Sequence, residues 1–189
     1  MSGNGNHGIV SGATLTTDRC GNPNSAYYFN GASYIKVPHT PSLNNHTNEL
    51  TISFWVYSTG KNMAPVCKSE WQGNPIDYRI YLWDYGTFNF ICNGQSSNLS
   101  YMNIKNQWFQ FVFVYDKGLF KLYRDGVRIM QQNAATSTNL TYTTDLYIGA
   151  DPAGLVEYMS GKIDDIYIYN RALTDNEIIC LYYQSCPLV

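Results

Sequence analysis

Between Leu50 and Tyr57 apolar and polar positions alternate without a break. Leu50, Ile52, Phe54 and Val56 fall on one face; Thr51, Ser53, Trp55 and Tyr57 fall on the other. A period of two is the mark of a half-buried β-strand, and it predicts a sheet with one face in the core and one toward solvent. Shorter stretches predict further strands at Ala26–Phe29, Tyr34–Val37, Ala64–Lys68, Asp77–Trp83, Thr87–Cys92, Leu146–Gly149 and Lys162–Tyr169. The run Trp108–Tyr115 is apolar almost throughout, as expected of a central strand. Phe120–Arg124 and Val127–Met130 flank Asp125-Gly126, a pair suited to a type I′ hairpin turn because both central residues need positive φ. Residues 1–26 are rich in Gly, Asn, Ser and Thr and read as loop.

One helix is expected, near the C-terminus. Thr174-Asp175-Asn176-Glu177 has the form of a capping box, in which the Thr174 hydroxyl and Glu177 carboxylate satisfy exposed N–H groups reciprocally. Leu173 and Ile178 stand where a hydrophobic staple would, and the helix should run to about Tyr183 and pack on the sheets. Short strands with turn signals between them, plus this helix, define an all-β antiparallel sandwich or barrel.

Composition agrees. The chain has 17 Tyr, 8 Phe and 4 Trp against 14% charged residues, a balance that suits pleated, half-buried surfaces. At 189 residues it is expected to be a single domain over 1–189, with no linker in it. A net charge of -2 without any Lys/Arg cluster argues against a nucleic-acid partner. No apolar run approaches the ~20 residues of a membrane span. No signal peptide is legible: Met1-Ser2-Gly3-Asn4-Gly5 reads as an expression start from which a native leader has been removed.

The cysteines Cys20, Cys67, Cys92, Cys180 and Cys186 contain no CxxC pair and no His at metal spacing, which argues against zinc. Cys180 with Cys186 and Cys67 with Cys92 are the pairings open to them, against five free buried thiols. Sequons occur at Asn45, Asn98 and Asn139.

The segment Gly161–Thr174, followed by Glu177-Ile178 and Leu181-Tyr182, resembles the closing motif of laminin-G-like domains in the concanavalin A-like lectin/glucanase superfamily. Gly3–Gly8, Gly12–Arg19, Tyr28–Gly31, Leu50–Val56, Leu122–Gly126 and Leu146–Ala150 resemble other parts of the family in the expected order. The resemblance covers nearly the whole chain and implies a two-sheet antiparallel jelly-roll sandwich. It also implies one departure, since family members usually begin with another strand ahead of Gly3–Gly8. A chain without it would show an exposed sheet edge.

Catalytic members of that superfamily place closely spaced acids on one strand, where alternate residues share a face. Here the four Glu (Glu49, Glu70, Glu157, Glu177) never stand two or four residues from another acid in a strand, and Asp164-Asp165 are adjacent. His7, His39 and His46 fall in loop-like regions without a metalloprotease or hydrolase motif. No enzyme is expected. Asp164 shares parity with Ile166 and Ile168, so its carboxylate should face inward and need a partner. The resemblance implies a structural calcium there, held by Asp164 with backbone carbonyls of Asn30-Gly31. An Asp accepting backbone N–H bonds across two strands is the alternative.

Sugar binding pairs an aromatic ring with amide or hydroxyl donors. With Ile80 and Leu82 in the core, Arg79, Tyr81 and Trp83 share the opposite face, as do Trp55 and Tyr57 on another strand. The stretch Glu70-Trp71-Gln72-Gly73-Asn74 adds an aromatic and amides next to Tyr78. Trp71, Asn74, Tyr78, Tyr81 and Trp83 are therefore the candidate carbohydrate ligands, against the plainer expectation that outward Trp and Tyr pack on one another. The function expected is a non-catalytic, lectin-like carbohydrate-binding module of a secreted or cell-surface protein. An adhesion, protein-binding or spacer domain is the alternative.

Overall fold

The computed structural model describes residues 4–44, 48–60, 62–69, 76–83, 87–99, 104–134, 142–152 and 157–184. In chain order the first strands are β1 (Ile9–Ser11), β2 (Thr14–Thr16), β3 (Ala26–Asn30), β4 (Tyr34–Val37), β5 (Glu49–Ser58), β6 (Met63–Ser69) and β7 (Ile76–Trp83). There follow β8 (Thr87–Cys92), β9 (Gln95–Leu99), β10 (Trp108–Asp116), β11 (Leu119–Arg124), β12 (Val127–Asn133), β13 (Leu146–Ile148), β14 (Ser160–Tyr169) and the helix α1 (Asp175–Tyr183). They make two seven-stranded antiparallel sheets. One runs β1-β4-β13-β6-β7-β8-β9; the other runs β12-β11-β10-β5-β14-β3-β2.

The core lies between them. Phe54, Phe111, Phe113 and Phe120 of the second sheet meet Ile80, Leu82, Phe88 and Phe90 of the first. Phe88 packs on Phe111 with ring centroids 4.5 Å apart, and Phe90 is edge-on to Phe120 at 5.2 Å. Each such side chain removed from water contributes about 1.5–3 kcal/mol. The expected hairpin is present: Asp125 and Gly126 have φ of 52° and 77°, and Arg124 faces Val127. Gln110 N donates to the Asp125 carboxylate and Asp125 N donates to Gln110 O, which ties the turn to β10.

The capping box forms as read, with the Thr174 and Glu177 side chains each accepting from the other's backbone N–H. Helix α1 rests on the outer face of the second sheet, where Leu173 and Ile178 join Val112, Val114 and Tyr123 in a second apolar cluster. Half of that outer face is thus buried, including Thr51, Ser53 and Trp55 of β5. The prediction that this face of β5 meets solvent holds only for its other end. There, Tyr28, Lys162, Tyr57 and Trp108 stand opposite one another across β3, β14, β5 and β10.

Three strands lie where none was expected. β1 and β2 fall within residues taken as loop, and β9 pairs with β8. All are short or polar, so their pattern carries no apolar period. β3 pairs with β14 only over Ser160–Ile163. Cys20 is disulfide-bonded, whereas Cys67, Cys92 and Cys180 are free thiols. Cys67 lies in an outer-face cluster and Cys92 in the core, so the two point to opposite sides of the sheet and cannot pair. The fifth cysteine, Cys186, is outside the described residues.

Candidate functional site

The outward face of β7 carries Arg79, Tyr81 and Trp83, because Tyr78, Ile80 and Leu82 take the core positions. Across the ladder Arg79 faces Ile91, Tyr81 faces Asn89 and Trp83 faces Thr87. One strand further, Asn89 faces Asn98 and Ile91 faces Ser96. On the other side Ala64 and Cys67 of β6 are small enough for the Tyr81 ring to settle on them. Tyr81 is only 2% exposed, and Trp83 stands edge-on to it with centroids 4.4 Å apart and is itself 47% exposed. Of these two rings Trp83 is therefore the one a ligand can reach, and Asn89, opposite Tyr81, donates its amide to the Asn98 side chain at 3.0 Å and to Ser97 O at 3.4 Å.

Charge is concentrated next to these rings. The Arg79 guanidinium lies 5.1 Å from the Tyr81 centroid and bonds Asp151 at 2.8 Å and Glu157 at 3.1 Å. The Tyr81 hydroxyl bonds Glu157 as well. Glu157 is held in place by its own backbone: Ala64 N donates to Glu157 O, and Met159 N donates to Gly149 O. Burial, reinforced by the Asp151 charge, raises the Glu157 pKa, and Arg79 offsets this only in part. Burial also raises the Tyr81 hydroxyl, with the Glu157 charge adding to it, so it stays a donor.

The expected site residues fare unevenly. Trp71 and Asn74 lie outside the described residues. Tyr78 is a correction: its side chain is fully buried among Ile80, Leu82 and Phe90, since it shares their parity, and no ligand can touch it. Tyr81 is on the expected face but covered, so it positions Glu157 and Trp83 rather than stacking on a sugar. Trp55 is likewise closed off, stacked on Tyr182 at 5.8 Å with the Arg19 guanidinium 4.6 Å from its ring. Asp151 and Glu157 were not foreseen as site residues, because each is far from β7 in sequence and lies outside any predicted strand.

The residues named for calcium are not brought together. Asp164 does not face the core; a β-bulge follows it, with Asp165 at φ 44°, and this reverses the alternation. Ile163 therefore points inward before the bulge and Ile166 and Ile168 after it, while Asp164 stands opposite Trp55. Its carboxylate is engaged by Arg19, which also bonds Asp165 at 2.7 Å, and by the Asp165 N–H at 2.8 Å. Asn30 pairs with Ser160, four positions away along β14, which is roughly 13 Å of strand. The Asn30 side chain accepts from Ala32 N, and Gly31 N donates to Met159 O. This set does not fit a calcium cage. Among the described residues no group of three or more His, Cys, Asp or Glu could hold a metal ion.

Two face-to-face antiparallel sheets with this strand order define a jelly-roll sandwich, and the outside of the first sheet carries the exposed Trp83 together with Arg79, Asp151 and Glu157. The chain belongs to the laminin-G-like family of the concanavalin A-like lectin/glucanase superfamily, whose model matches residues 29–179. The motifs noted between Gly3 and Arg19 fall outside that stretch. No curated protein matches the chain in sequence.

Among solved structures, the binding domain of Paraclostridial Mosquitocidal Protein 1 is 19% identical with a TM-score of 0.75, over 96% of this chain and 48% of that one. A botulinum neurotoxin type C structure is 16% identical with a TM-score of 0.67, over 95% and 47%. Cell entry of that toxin depends on interaction with two ganglioside molecules. Domain 4 of AbnA, an extracellular arabinanase from Geobacillus stearothermophilus, in complex with arabinotriose, is 19% identical with a TM-score of 0.64, over 93% and 87%. The chain thus spans about half the length of the two toxin chains. Among the described residues no helix is long and apolar enough to cross a membrane.

Proposed function

We propose that this domain is a non-catalytic carbohydrate-binding module of an extracellular protein, and that it holds its glycan against Trp83. The observation that carries the reading is an indole 47% exposed on a strand otherwise packed tightly, edge-on to a Tyr81 ring that Asn89 faces and whose hydroxyl bonds the Glu157 carboxylate. The apolar face of a sugar ring stacks on an indole while its hydroxyls find the amides and carboxylate. The arabinotriose complex of AbnA domain 4 supports a sugar as the kind of ligand this fold accepts.

Catalysis is disfavoured by access. Glycoside hydrolysis needs two carboxyl groups flanking the scissile bond. At this site Asp151 and Glu157 share one arginine, and the Asp151 side chain is only 2% exposed. Among the described residues at this site one reachable carboxylate remains. The test is a glycan array followed by calorimetric titration of the best hit with the wild type and Trp83→Ala. Loss of an aromatic platform of this kind should weaken binding at least about tenfold, ~1.4 kcal/mol. Unchanged affinity, or no glycan bound by a folded sample, would turn the assignment toward a protein-binding or adhesion domain.

A further inference from the structure

We infer that the Trp83 face selects neutral glycans over acidic ones, an inference that rests on the carbohydrate reading above. Acidic sugars are usually recognised by a guanidinium or ammonium with donors to spare. Among its described residues the cations of this face are instead paired with carboxylates. Its sheet carries three cations, and Lys68 is buried on the core side, against Asp77. That leaves Lys36 and Arg79, which fall on one row of side chains through Tyr147 and Cys67.

Both are already spoken for. Lys36 bonds Asp145 at 2.7 Å and lies over the Tyr147 ring. Arg79 spends one terminal nitrogen on Asp151 and the other on Glu157, and its Nε is buried without a partner. Its charge is matched by those two carboxylates, and its side chain is only 20% exposed. The two cations meet three acids, Asp145, Asp151 and Glu157, so the described face bears one net negative charge.

The Glu157 carboxylate, bonded to the hydroxyl of the Tyr81 ring on which Trp83 packs, is thus the acceptor on the described face. Glu157 suits the hydroxyl donors of a neutral sugar, and it repels a carboxylate brought to the same place. Repulsion between groups at a protein surface is screened by salt over about 8 Å at physiological ionic strength, so the discrimination should shrink as salt rises. A protein partner or membrane surface of high negative charge is disfavoured on the same ground.

The experiment is calorimetric titration of a matched pair, one oligosaccharide from the array with and without a terminal carboxylate-bearing sugar. The neutral member should bind at least about tenfold more tightly at low salt, ~1.4 kcal/mol, and the gap should narrow in 1 M salt, where the screening length is about 3 Å. Glu157→Gln keeps the shape of the side chain and removes its charge, so it should narrow the same gap. Asp151→Asn with Glu157→Gln, which releases Arg79, should close or reverse it. Equal or tighter binding of the acidic member by the wild type overturns the selectivity while leaving the carbohydrate reading intact. Trp83→Ala binding the neutral member as well as wild type overturns the site, and the selectivity with it. Circular dichroism and a thermal melt establish that each variant is folded.

Discussion

Lys68 and Asp77 form an ion pair with no solvent contact: both side chains are 0% exposed and Nζ lies 2.6 Å from Oδ2. The ammonium also donates to Tyr142 O at 2.9 Å and to Thr144 Oγ1 at 3.4 Å, so it joins β6, β7 and the segment leading into β13. Lys68→Met removes the cation that balances the buried Asp77 carboxylate. Breaking such a pair costs about 3–5 kcal/mol, because the surviving charge keeps its desolvation penalty and loses its partner. For a domain of this size 1 kcal/mol moves the melting point by roughly 2–4 °C, so a fall of about 6–20 °C is expected. Asp77→Leu should cost a similar amount by orphaning the ammonium. The double variant loses both charges together and should recover much of the loss, because replacing a buried pair with apolar groups is often near neutral. Its recovery will be incomplete, since Tyr142 O and Thr144 Oγ1 lose a donor. Urea denaturation of the four proteins gives the coupling energy directly. Single variants costing under 1 kcal/mol each, or a double variant equal to their sum, would refute a tightly coupled buried pair.

Two further outcomes follow from the geometry. Gly161 has φ of 139°, and a Cβ there would lie 2.0 Å from Tyr57 O, a backbone atom in the neighbouring strand that cannot yield. Gly161→Ala should therefore destabilise by at least about 3 kcal/mol in a urea melt, and a loss below 1 kcal/mol would show that β14 and β5 can part there. Acidification should weaken glycan binding as Glu157 takes up a proton, at a pH above its ordinary value of 4.5 because burial raises it. The sign for stability is opposite: a carboxyl with a raised folded pKa gains stability for the fold as pH falls through it. Lost affinity with an unchanged or higher melting point is thus the expected pattern, and Glu157→Gln should abolish the pH dependence.

How much was legible depended on the range over which a signal acts. Strand alternation, the Asp125-Gly126 turn and the Thr174–Glu177 box are set within a few residues, and the structure keeps all three. Arg79, Tyr81 and Trp83 were placed on one face for the same reason. Asp164 was misplaced by one bulge, since an extra residue at Asp165 inverts every later position and leaves no trace in the hydrophobic pattern. Tyr78 was set beside its neighbours in sequence when its own parity already assigned it to the core. Asp151 and Glu157 could not be found from spacing at all: they reach Arg79 through the crossover that lays residues near β13 beside β6. The Cys67–Cys92 pairing failed similarly, because pairing depends on which face each strand turns outward.

The half of the second sheet that α1 leaves bare has a bearing on how the domain would sit on a ligand. Tyr28, 41% exposed, begins a row that continues through Lys162, over the Tyr57 ring at 5.6 Å, to Trp108, edge-on to Tyr57 at 5.8 Å. The sheets lie back to back about 10 Å apart, so this row and Trp83 look in opposite directions. A domain anchored through Trp83 to a polysaccharide layer therefore keeps its aromatic, lysine-bearing side facing away from that layer. Attachment has a polarity: one side is spent on the surface, and the other is left to meet whatever approaches from solution.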